Sequence, residues 1–379
     1  MHSSKKIVIV CDKNSRTSFG RLALDFRAAL SANFEASILW LKTPKYFPDE
    51  NSASPEESGE KSDSIWKRSL YSGFWTFRKP FVEHIRAAAP DILFLIRPEI
   101  GFLVPVAKRA FPGIKTVVLV HDTFAETLYP SSLKFRLIAE FYAKPSSNAD
   151  AFVYNSNYSK GEAEKFYGTG DRPGIVAGLP LHARFCEASE RPGDAERTSF
   201  LEAHGIKGFG KMALNISLPE PRKNIETFFK MAQARPDVAF VRVGTVNAYV
   251  QKMLDVTDAK NIFHFSNLSS DELREFYRNA NLYVAPSFYE GFGMPPLEAI
   301  ACGTPVVCAR TTALNEIFGN VAPSVFPATD VCGYLKVLDM ALEGKFEYDR
   351  EKVSALLERF RIETIAHKLS AFLEKILGH

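Results

Sequence analysis

The chain has 379 residues, of which 46% are hydrophobic, and a formal net charge of +3. One hydrophobic core seldom holds this many residues, so two domains are expected, and so small a charge gives no reason to expect a nucleic-acid partner. Five cysteines without a C-x-x-C pair argue against disulfide and zinc frameworks and fit a reducing cytosol. The start lacks a signal-peptide pattern and no apolar run is long enough to cross a bilayer, so we expect a cytoplasmic protein, at most peripheral on a membrane.

In the first half of the chain, short continuous apolar runs alternate with segments of helical spacing, which predicts a doubly wound parallel α/β sheet. Helices are predicted to begin at Arg21 and Phe81, and the polar stretch from Thr43 to Ser64 is predicted to be a mobile loop. The predicted strands are Ile7–Cys11, Ala36–Leu41, Asp91–Ile96, Thr116–Val120 and Ala151–Tyr154.

A second α/β series follows a charged stretch between Cys186 and Phe200, which we interpret as a linker. The domains are therefore expected at 1–187 and 200–359, with a last helix over 360–379. The predicted strands of this half are Lys211–Ile216, Val238–Val243, Ile262–Phe265, Leu282–Ala285 and Pro305–Cys308.

The most informative segment joins an acid, a glycine turn, a proline-started helix and a second acid, in the sequence Glu290-Gly-Phe-Gly-Met-Pro-Pro-Leu-Glu298. A turn of this kind brings backbone N–H groups and the positive end of a helix dipole to an anion such as phosphate. Two carboxylates beside that site can accept hydrogen bonds from hydroxyl groups. A nucleotide sugar combines diphosphate with ribose and sugar hydroxyls, so it is the predicted ligand.

These residues resemble the retaining glycosyltransferases of family 4, and further segments of the chain resemble that family in the right order. The resemblance implies a GT-B fold, in which two Rossmann-like domains with parallel sheets face a central cleft and the C-terminal helix crosses back to the N-terminal domain. The additional segments are Val120-His-Asp122, Pro219-Glu-Pro-Arg-Lys-Asn224, Phe263-His-Phe-Ser-Asn-Leu268 and Ala280-Asn-Leu-Tyr-Val-Ala-Pro-Ser287.

The resemblance assigns the grip on the donor diphosphate to Arg222 and Lys223, a role that suits a guanidinium fork and an ammonium group. Many family members have Gly-Arg at the end of the preceding strand. This chain has Ile216-Ser217 there, so Arg222 is expected to substitute for that arginine and Ser217 to lie beside the donor. Taken alone, the basic pair would be a solvated turn.

The resemblance assigns Glu298 to the ribose hydroxyls and Glu290 to the donor sugar, where it steadies positive charge near the anomeric carbon. Taken alone, Glu298 would be an acid that complements a helix dipole. Backbone amides around Gly293 and Met294 are expected to bind the diphosphate, and the donor-binding segment is expected to comprise Gly291, Phe292, Gly293, Met294 and Pro295. The segment Phe263–Leu268, with Phe265 at its centre, is expected to bind the base through main-chain contacts.

Two expected site residues lie in the first half, at the carboxyl ends of predicted strands, where doubly wound sheets bind ligands. The resemblance assigns His121 a hydrogen bond to a donor-sugar hydroxyl, and Gly20, in a loop before the first helix, a close approach of the diphosphate. Taken alone, His121 would be a satisfied core residue and Gly20 a glycine needed for its backbone angles.

The chain contains no Asp-x-Asp motif, which argues against the metal-clamping GT-A enzymes and predicts catalysis without a metal or other cofactor. The resemblance also implies that the departing phosphate oxygen takes the acceptor proton. The segment Ile65–Lys79 mixes aromatic and basic residues, as interfacial segments do, and is interpreted either as a contact with the inner membrane or as an ordinary packed helix.

The function expected from this resemblance is transfer of a sugar from a nucleotide-diphosphate donor to a glycan or lipid-linked glycan in surface polysaccharide assembly. Mannose from GDP-mannose is the favoured sugar. UDP- and dTDP-sugars remain alternatives, as do a nucleotide-sugar epimerase of the same fold and a non-catalytic nucleotide-binding subunit.

Overall fold

The computed structural model describes residues 5–12, 17–41, 74–123, 127–129, 131–186 and 190–378. The chain divides into two compact units. Unit 1 comprises Met1–Asn155, Lys160–Pro180 and Ile365–His379, and unit 2 comprises Ser156–Ser159 and Leu181–Thr364. The loop predicted at 43–64 lies outside the described residues, as does most of the segment Ile65–Lys79.

Unit 1 is built on a parallel six-stranded sheet, which confirms the doubly wound α/β prediction. Its strand order is β2-β1-β3-β4-β5-β6, and the inner strands are buried on both faces because they are continuous apolar runs. The strands are β1 (Lys6–Cys11), β2 (Glu35–Trp40), β3 (Ile92–Leu95), β4 (Lys115–Val120), β5 (Ala151–Tyr154) and β6 (Gly174–Val176).

Unit 2 has a second parallel six-stranded sheet, with the order β12-β11-β10-β7-β8-β9. The five strands predicted for this half are all present, and the short edge strand β12 is an addition. The strands are β7 (Met212–Ile216), β8 (Ala239–Val243), β9 (Ile262–Phe265), β10 (Leu282–Ala285), β11 (Val306–Ala309) and β12 (Ser324–Val325).

The order of each sheet reverses at one place, and a crevice for ligands forms there at the carboxyl ends of the strands. In unit 1 the chain runs from β1 outward to β2 and then returns to β3 on the other side of β1. In unit 2 it runs from β7 outward through β8 and β9 and returns to β10 on the other side of β7. The loops after β1 and β3, and those after β7 and β10, are therefore the places to look for sites.

Helices connect the strands, and local capping fixes several of their ends. The N-cap Ser269 and Glu272 form a reciprocal capping box at the start of α9. The helices of unit 1 are α1 (Ser18–Leu30), α2 (Phe74–Ala88), α3 (Leu103–Ala110) and α4 (Leu133–Ile138), with α5 (Asn157–Tyr167) shared between the units. Those of unit 2 are α6 (Asp194–Ala203), α7 (Ile225–Ala234), α8 (Ala248–Val256), α9 (Ser270–Asn279), α10 (Met294–Ala301), α11 (Thr312–Phe318), α12 (Val331–Leu342) and α13 (Arg350–Phe360).

The last helix, α14 (Ile362–Leu377), belongs to unit 1 from Ile365 onward, and Asn33 donates a hydrogen bond to its Ser370. Part of the stretch predicted as a linker is helical, because α6 begins at Asp194. The buried Arg197 of this helix donates to the carbonyl of Asn279 at 2.9 Å, which ties the helix into unit 2. Among the described helices, none is both long enough and apolar enough to span a bilayer.

Candidate functional site

The loops that follow β7 and β10 are held against each other by backbone and amide hydrogen bonds. Phe288 donates its N–H to the carbonyl of Arg222 at 2.8 Å. The buried Asn224 lies in the left-handed region at φ 49°, and its amide donates to the carbonyls of Pro286 and Ala328, each at 2.9 Å. These bonds fix the two basic residues before Asn224 opposite the acidic loop after β10.

At the centre of this junction is the carboxylate of Glu290. Lys223 Nζ lies 2.7 Å from both of its oxygens, and Ser287 Oγ donates to it at 2.8 Å. Arg222 Nη1 is 3.5 Å away, while its Nε binds Glu220 at 2.6 Å. The structure therefore brings together three of the predicted catalytic residues: Arg222, Lys223 and Glu290.

The charges around Glu290 keep it ionised. Burial by itself would raise the pKa of this carboxyl, but Lys223 and Arg222 outweigh burial, and the pKa lies below its ordinary value of 4.5. The side chains of Lys223 and Glu290 are only 13% and 16% exposed. This is a desolvated ion pair, in which the loss of either charge leaves the other poorly compensated.

Sequence reasoning missed Thr312, which holds the backbone of Glu290. Its hydroxyl lies 3.0 Å from both the N–H and the carbonyl oxygen of Glu290, accepting from the first and donating to the second. Thr312 has a φ of 40°, an uncommon conformation for a β-branched residue that costs of order 1–3 kcal/mol. The signal in the sequence is weak, because one threonine at the start of a helix is common.

The segment after Glu290 turns into α10 through Gly293, at φ 102°. A Cβ there would lie 2.8 Å from Leu314, so the turn requires glycine on both conformational and steric grounds. Met294 and Pro295 form the first turn of α10, with the positive end of its dipole at this glycine. Binding of a diphosphate at this turn stays a prediction.

The remaining predicted residues of this loop have clear structural partners. The carbonyl of Gly291 accepts hydrogen bonds from the hydroxyls of Ser156 and Ser159. The ring of Phe292 is buried and packs edge-on against Phe360, with centroids 4.9 Å apart, so only its backbone is left for a ligand.

Glu298 lies in the second turn of α10 and accepts a hydrogen bond from the hydroxyl of Tyr277 at 2.7 Å. Burial and the nearby Glu298 raise the pKa of Tyr277 well above its ordinary value, so the phenol stays a proton donor. Glu298 thus accepts a hydrogen bond from a neutral hydroxyl group, whereas Glu290 is paired with the charged side chain of Lys223.

Ser217 begins the loop after the inner strand β7, and Phe265 is the last residue of the edge strand β9. Ser217 Oγ binds Asn215 at 2.7 Å, and the carbonyl of Phe265 accepts from the N–H of Gly244 at 2.8 Å. The ring of Phe265 packs on Phe276, with centroids 4.9 Å apart. Binding of a base at this edge stays a prediction.

Arg242 of β8 is a further residue that sequence reasoning missed. Its side chain is fully buried, and its guanidinium donates to the carbonyls of Ser217, Gly244 and Thr245 at 2.9–3.2 Å. Burial lowers the pKa of Arg242 to about 10, so it is charged at neutral pH. A guanidinium from β8 is thus bound to the carbonyl of Ser217, the residue that follows β7.

His121 and Gly20 belong to unit 1, at the ends of its strands. His121 follows β4, its ring packs edge-on against Phe19 with centroids 4.6 Å apart, and its Nε2 is 3.7 Å from Asp122. Gly20 is not in a loop as expected. It lies in the first turn of α1, where its N–H donates to Thr17 Oγ1 at 3.1 Å, because Thr17 caps the helix earlier than the sequence suggested.

The reversal point of the unit 1 sheet contains charged residues that sequence reasoning missed. Arg97, after β3, lies 3.7 Å from Asp12, after β1, and 3.2 Å from Glu99. Its guanidinium also stacks over Phe19 at 5.1 Å. Burial alone would lower the pKa of Arg97, but the neighbouring carboxylates, Asp122 among them, raise it. The strand order, had it been derived, would have pointed to this cluster.

Two family models match the chain, one within its first half and the other within its second half. Glycosyltransferase Family 4 matches residues 20–176, and Glycosyl transferases group 1 matches residues 196–352. The chain belongs to the glycosyltransferases. The first match contains Gly20 and His121, and the second contains the junction around Glu290.

The curated relatives of this glycosyltransferase include bacterial mannosyltransferases. It is 30% identical over 167 residues to the serotype-specific mannosyltransferase WbdA of Escherichia coli, a stretch that covers 41% of this chain and 20% of WbdA. It is 37% identical over 117 residues to the O-antigen chain mannosyltransferase B of Escherichia coli, covering 28% of this chain and 31% of that protein. The matched stretches thus span about a fifth and a third of these relatives.

A longer match, 26% identical over 213 residues, is to a GDP-mannose-dependent phosphatidylinositol dimannoside mannosyltransferase of Mycobacterium tuberculosis, covering 54% of this chain and 53% of that protein. Among solved structures, sucrose-phosphate synthase from Thermosynechococcus elongatus superposes with a TM-score of 0.78 at 16% identity, over 99% of both chains. Anabaena HepE in complex with UDP and glucose gives 0.66 at 15% identity, over 98% of this chain and 99% of that one. These structural matches confirm the two-domain α/β fold of the GT-B type.

Proposed function

We propose that this glycosyltransferase transfers a sugar from a nucleotide-diphosphate donor to a hydroxyl of a glycan or lipid-linked glycan, with retention of anomeric configuration and without a metal. The observation that carries the proposal is the junction at the reversal point of the unit 2 sheet. There Arg222 and Lys223 meet Glu290 directly ahead of the Gly293 turn and the α10 N-terminus.

In the proposed reaction, the bond between the anomeric carbon and the diphosphate oxygen breaks, and a bond from the acceptor oxygen to the same carbon forms. The departing phosphate oxygen takes the acceptor proton, so the mechanism requires no separate base. Charge develops on the diphosphate as it leaves, and preorganised cations at that point lower the barrier. In this proposal Lys223 and Arg222 supply the positive charge that a metal ion would otherwise provide.

Glu290 has two parts in this proposal. Before the donor binds, its ionised carboxylate holds Lys223 in place through two 2.7 Å contacts. In the transition state the same negative charge stabilises the oxocarbenium-like sugar. Glu298, oriented by Tyr277, accepts hydrogen bonds from the ribose.

Mannose from GDP-mannose is the proposed donor group, because the curated relatives are named mannosyltransferases and one is named GDP-mannose-dependent. A UDP-sugar is the second candidate, favoured by the UDP and glucose bound to HepE, whose fold this chain shares. The relatives named for O-antigen chain synthesis support a place in surface polysaccharide assembly.

The cluster around Arg97 suits the acceptor. Asp12, Glu99 and Asp122 place three carboxylates near one guanidinium, and the ring of Phe19 lies beside them. Carboxylates accept hydrogen bonds from sugar hydroxyls and repel phosphate. The part of the acceptor that binds beside Arg97 is therefore a neutral sugar. This holds for a free glycan and for the glycan of a lipid-linked acceptor.

A thermal-shift screen against GDP-mannose, UDP-glucose and a dTDP-sugar tests the donor. At a concentration of about 100 times Kd, the true donor stabilises the protein by about 2.7 kcal/mol, and Lys223→Met should abolish this shift. Incubation with mannosyl acceptors and NMR of the product anomeric proton then test retention, with EDTA as the test for a metal. Isomerised donor without transfer would favour an epimerase, and binding without transfer or hydrolysis would favour a non-catalytic subunit.

A further inference from the structure

The helical segment that begins with α4 exposes large apolar side chains along one face. The chain continues from α4 into a π-turn over Ala139–Ala143. Leu133, Leu137 and Phe141 are 68%, 45% and 66% exposed. We use the name "apolar face" for the outward residues, which recur at helical spacing: Leu133, Arg136, Leu137, Glu140, Phe141 and Lys144.

An ordinary surface helix turns its large apolar residues to the core, whereas Leu133, Leu137 and Phe141 are exposed together. Single exposed leucines are common, but three large apolar side chains on one face mark an interaction surface. The segment is anchored from behind, because Ala143 and Ser146 are buried and Ser146 lies against Gly101. The outward position of Leu133, Leu137 and Phe141 therefore belongs to the packed fold.

The charges of the segment indicate what covers it. The apolar face has two basic residues (Arg136, Lys144) and one acid (Glu140), a net charge of 2 − 1 = +1. Glu140 is bound by Lys144 at 2.9 Å. Within the described part of the chain, no carboxylate forms an ion pair with Arg136. The apolar face thus combines exposed hydrocarbon with a surplus of positive charge.

We propose that the apolar face docks on the surface of an anionic lipid bilayer. Leucine and phenylalanine side chains enter the boundary between headgroups and acyl chains, while Arg136 and Lys144 contact lipid phosphates, as in interfacial helices. A second copy of the chain is a poorer partner. A symmetric interface through this face would bring two Arg136 side chains onto one apolar patch. The surface lies outside the segment Ile65–Lys79 that the sequence suggested for this contact.

Co-sedimentation of the full chain with vesicles tests the proposal, using phosphatidylcholine alone and with about a third of phosphatidylglycerol. The test variant replaces Leu133, Leu137 and Phe141 by serine. A matched control replaces Val256, Phe326 and Met340 of unit 2, which are 74%, 64% and 43% exposed. Melting temperatures of both variants confirm that they fold.

Wild type is expected to bind the anionic vesicles. The test variant should lose at least about tenfold in partition coefficient, while the control stays within about twofold. Arg136→Gln should weaken binding to the anionic vesicles and leave binding to the phosphatidylcholine vesicles unchanged. The proposal is overturned if wild type ignores anionic vesicles, or if the test variant binds them as wild type does. A dimer that the test variant loses, without vesicle binding, would assign the face to a second copy. The assay contains no donor or acceptor, so its failure leaves the proposed transfer intact.

Discussion

The ion pair between Lys223 and Glu290 can be tested by a double-mutant cycle, because the chain contains a matched pair outside the site. Lys230 and Glu226 also approach to 2.7 Å, but their side chains are 56% and 57% exposed. Those of Lys223 and Glu290 are 13% and 16% exposed. The two pairs share chemistry and distance, and they differ in solvent exposure.

Removing one partner of the site pair should be costly. Lys223→Met leaves the Glu290 carboxylate with Ser287 at 2.8 Å and Arg222 at 3.5 Å. Breaking a buried pair costs 3–5 kcal/mol in other proteins, and some remaining solvent access lowers the expected cost here to about 2–3 kcal/mol. Glu290→Gln should cost a similar amount. The double variant removes both charges, so the coupling energy should be about 1.5–2 kcal/mol.

Urea unfolding of the four proteins in each cycle measures these values. The Lys230–Glu226 cycle should give no more than about 0.5 kcal/mol, because exposed i,i+4 pairs contribute little. Transfer by Lys223→Met and by Glu290→Gln should fall at least about a hundredfold in kcat/KM, and Lys230→Met should leave it unchanged. Equal coupling energies in the two cycles would refute the claim that burial makes the site pair strong.

Three further outcomes are expected. The lowered pKa of Glu290 stabilises the folded protein above pH 4.5, and this stability is lost as the pH falls through the lower pKa of the folded state. Acid titration should therefore reduce the free energy of unfolding of wild type more than that of Glu290→Gln. Equal losses of unfolding free energy in the two proteins would contradict this. Gly293→Ala should cost about 2–4 kcal/mol through strain and overlap with Leu314, whereas Gly208→Ala, at φ 82° in open space, should cost about 1 kcal/mol by chemical denaturation. Asp12→Asn should raise the acceptor KM about tenfold at unchanged donor affinity, and a donor effect instead would move Asp12 out of the acceptor site.

A comparison of the predicted and observed strands shows which parts of the fold local sequence patterns can predict. All ten predicted strands are present, because a strand buried on both faces must be a continuous apolar run. The two strands that were not predicted, β6 and β12, are three and two residues long and lie at sheet edges. Such strands form only because an adjacent strand supplies hydrogen bonds. The local sequence does not show which strand that is.

The parallel α/β architecture and the choice of Arg222, Lys223 and Glu290 as site residues follow from the sequence alone, because they depend on short apolar runs and on motifs that are each contiguous in the chain. Three contacts emerge only from the packed fold: Thr312 with the Glu290 backbone, Arg242 with the carbonyl of Ser217, and Asp12 with Arg97. The two residues of each contact lie 22, 25 and 85 positions apart in the chain, respectively. The order of parallel strands sets which loops meet at a sheet edge, and that order is a property of the packed sheet.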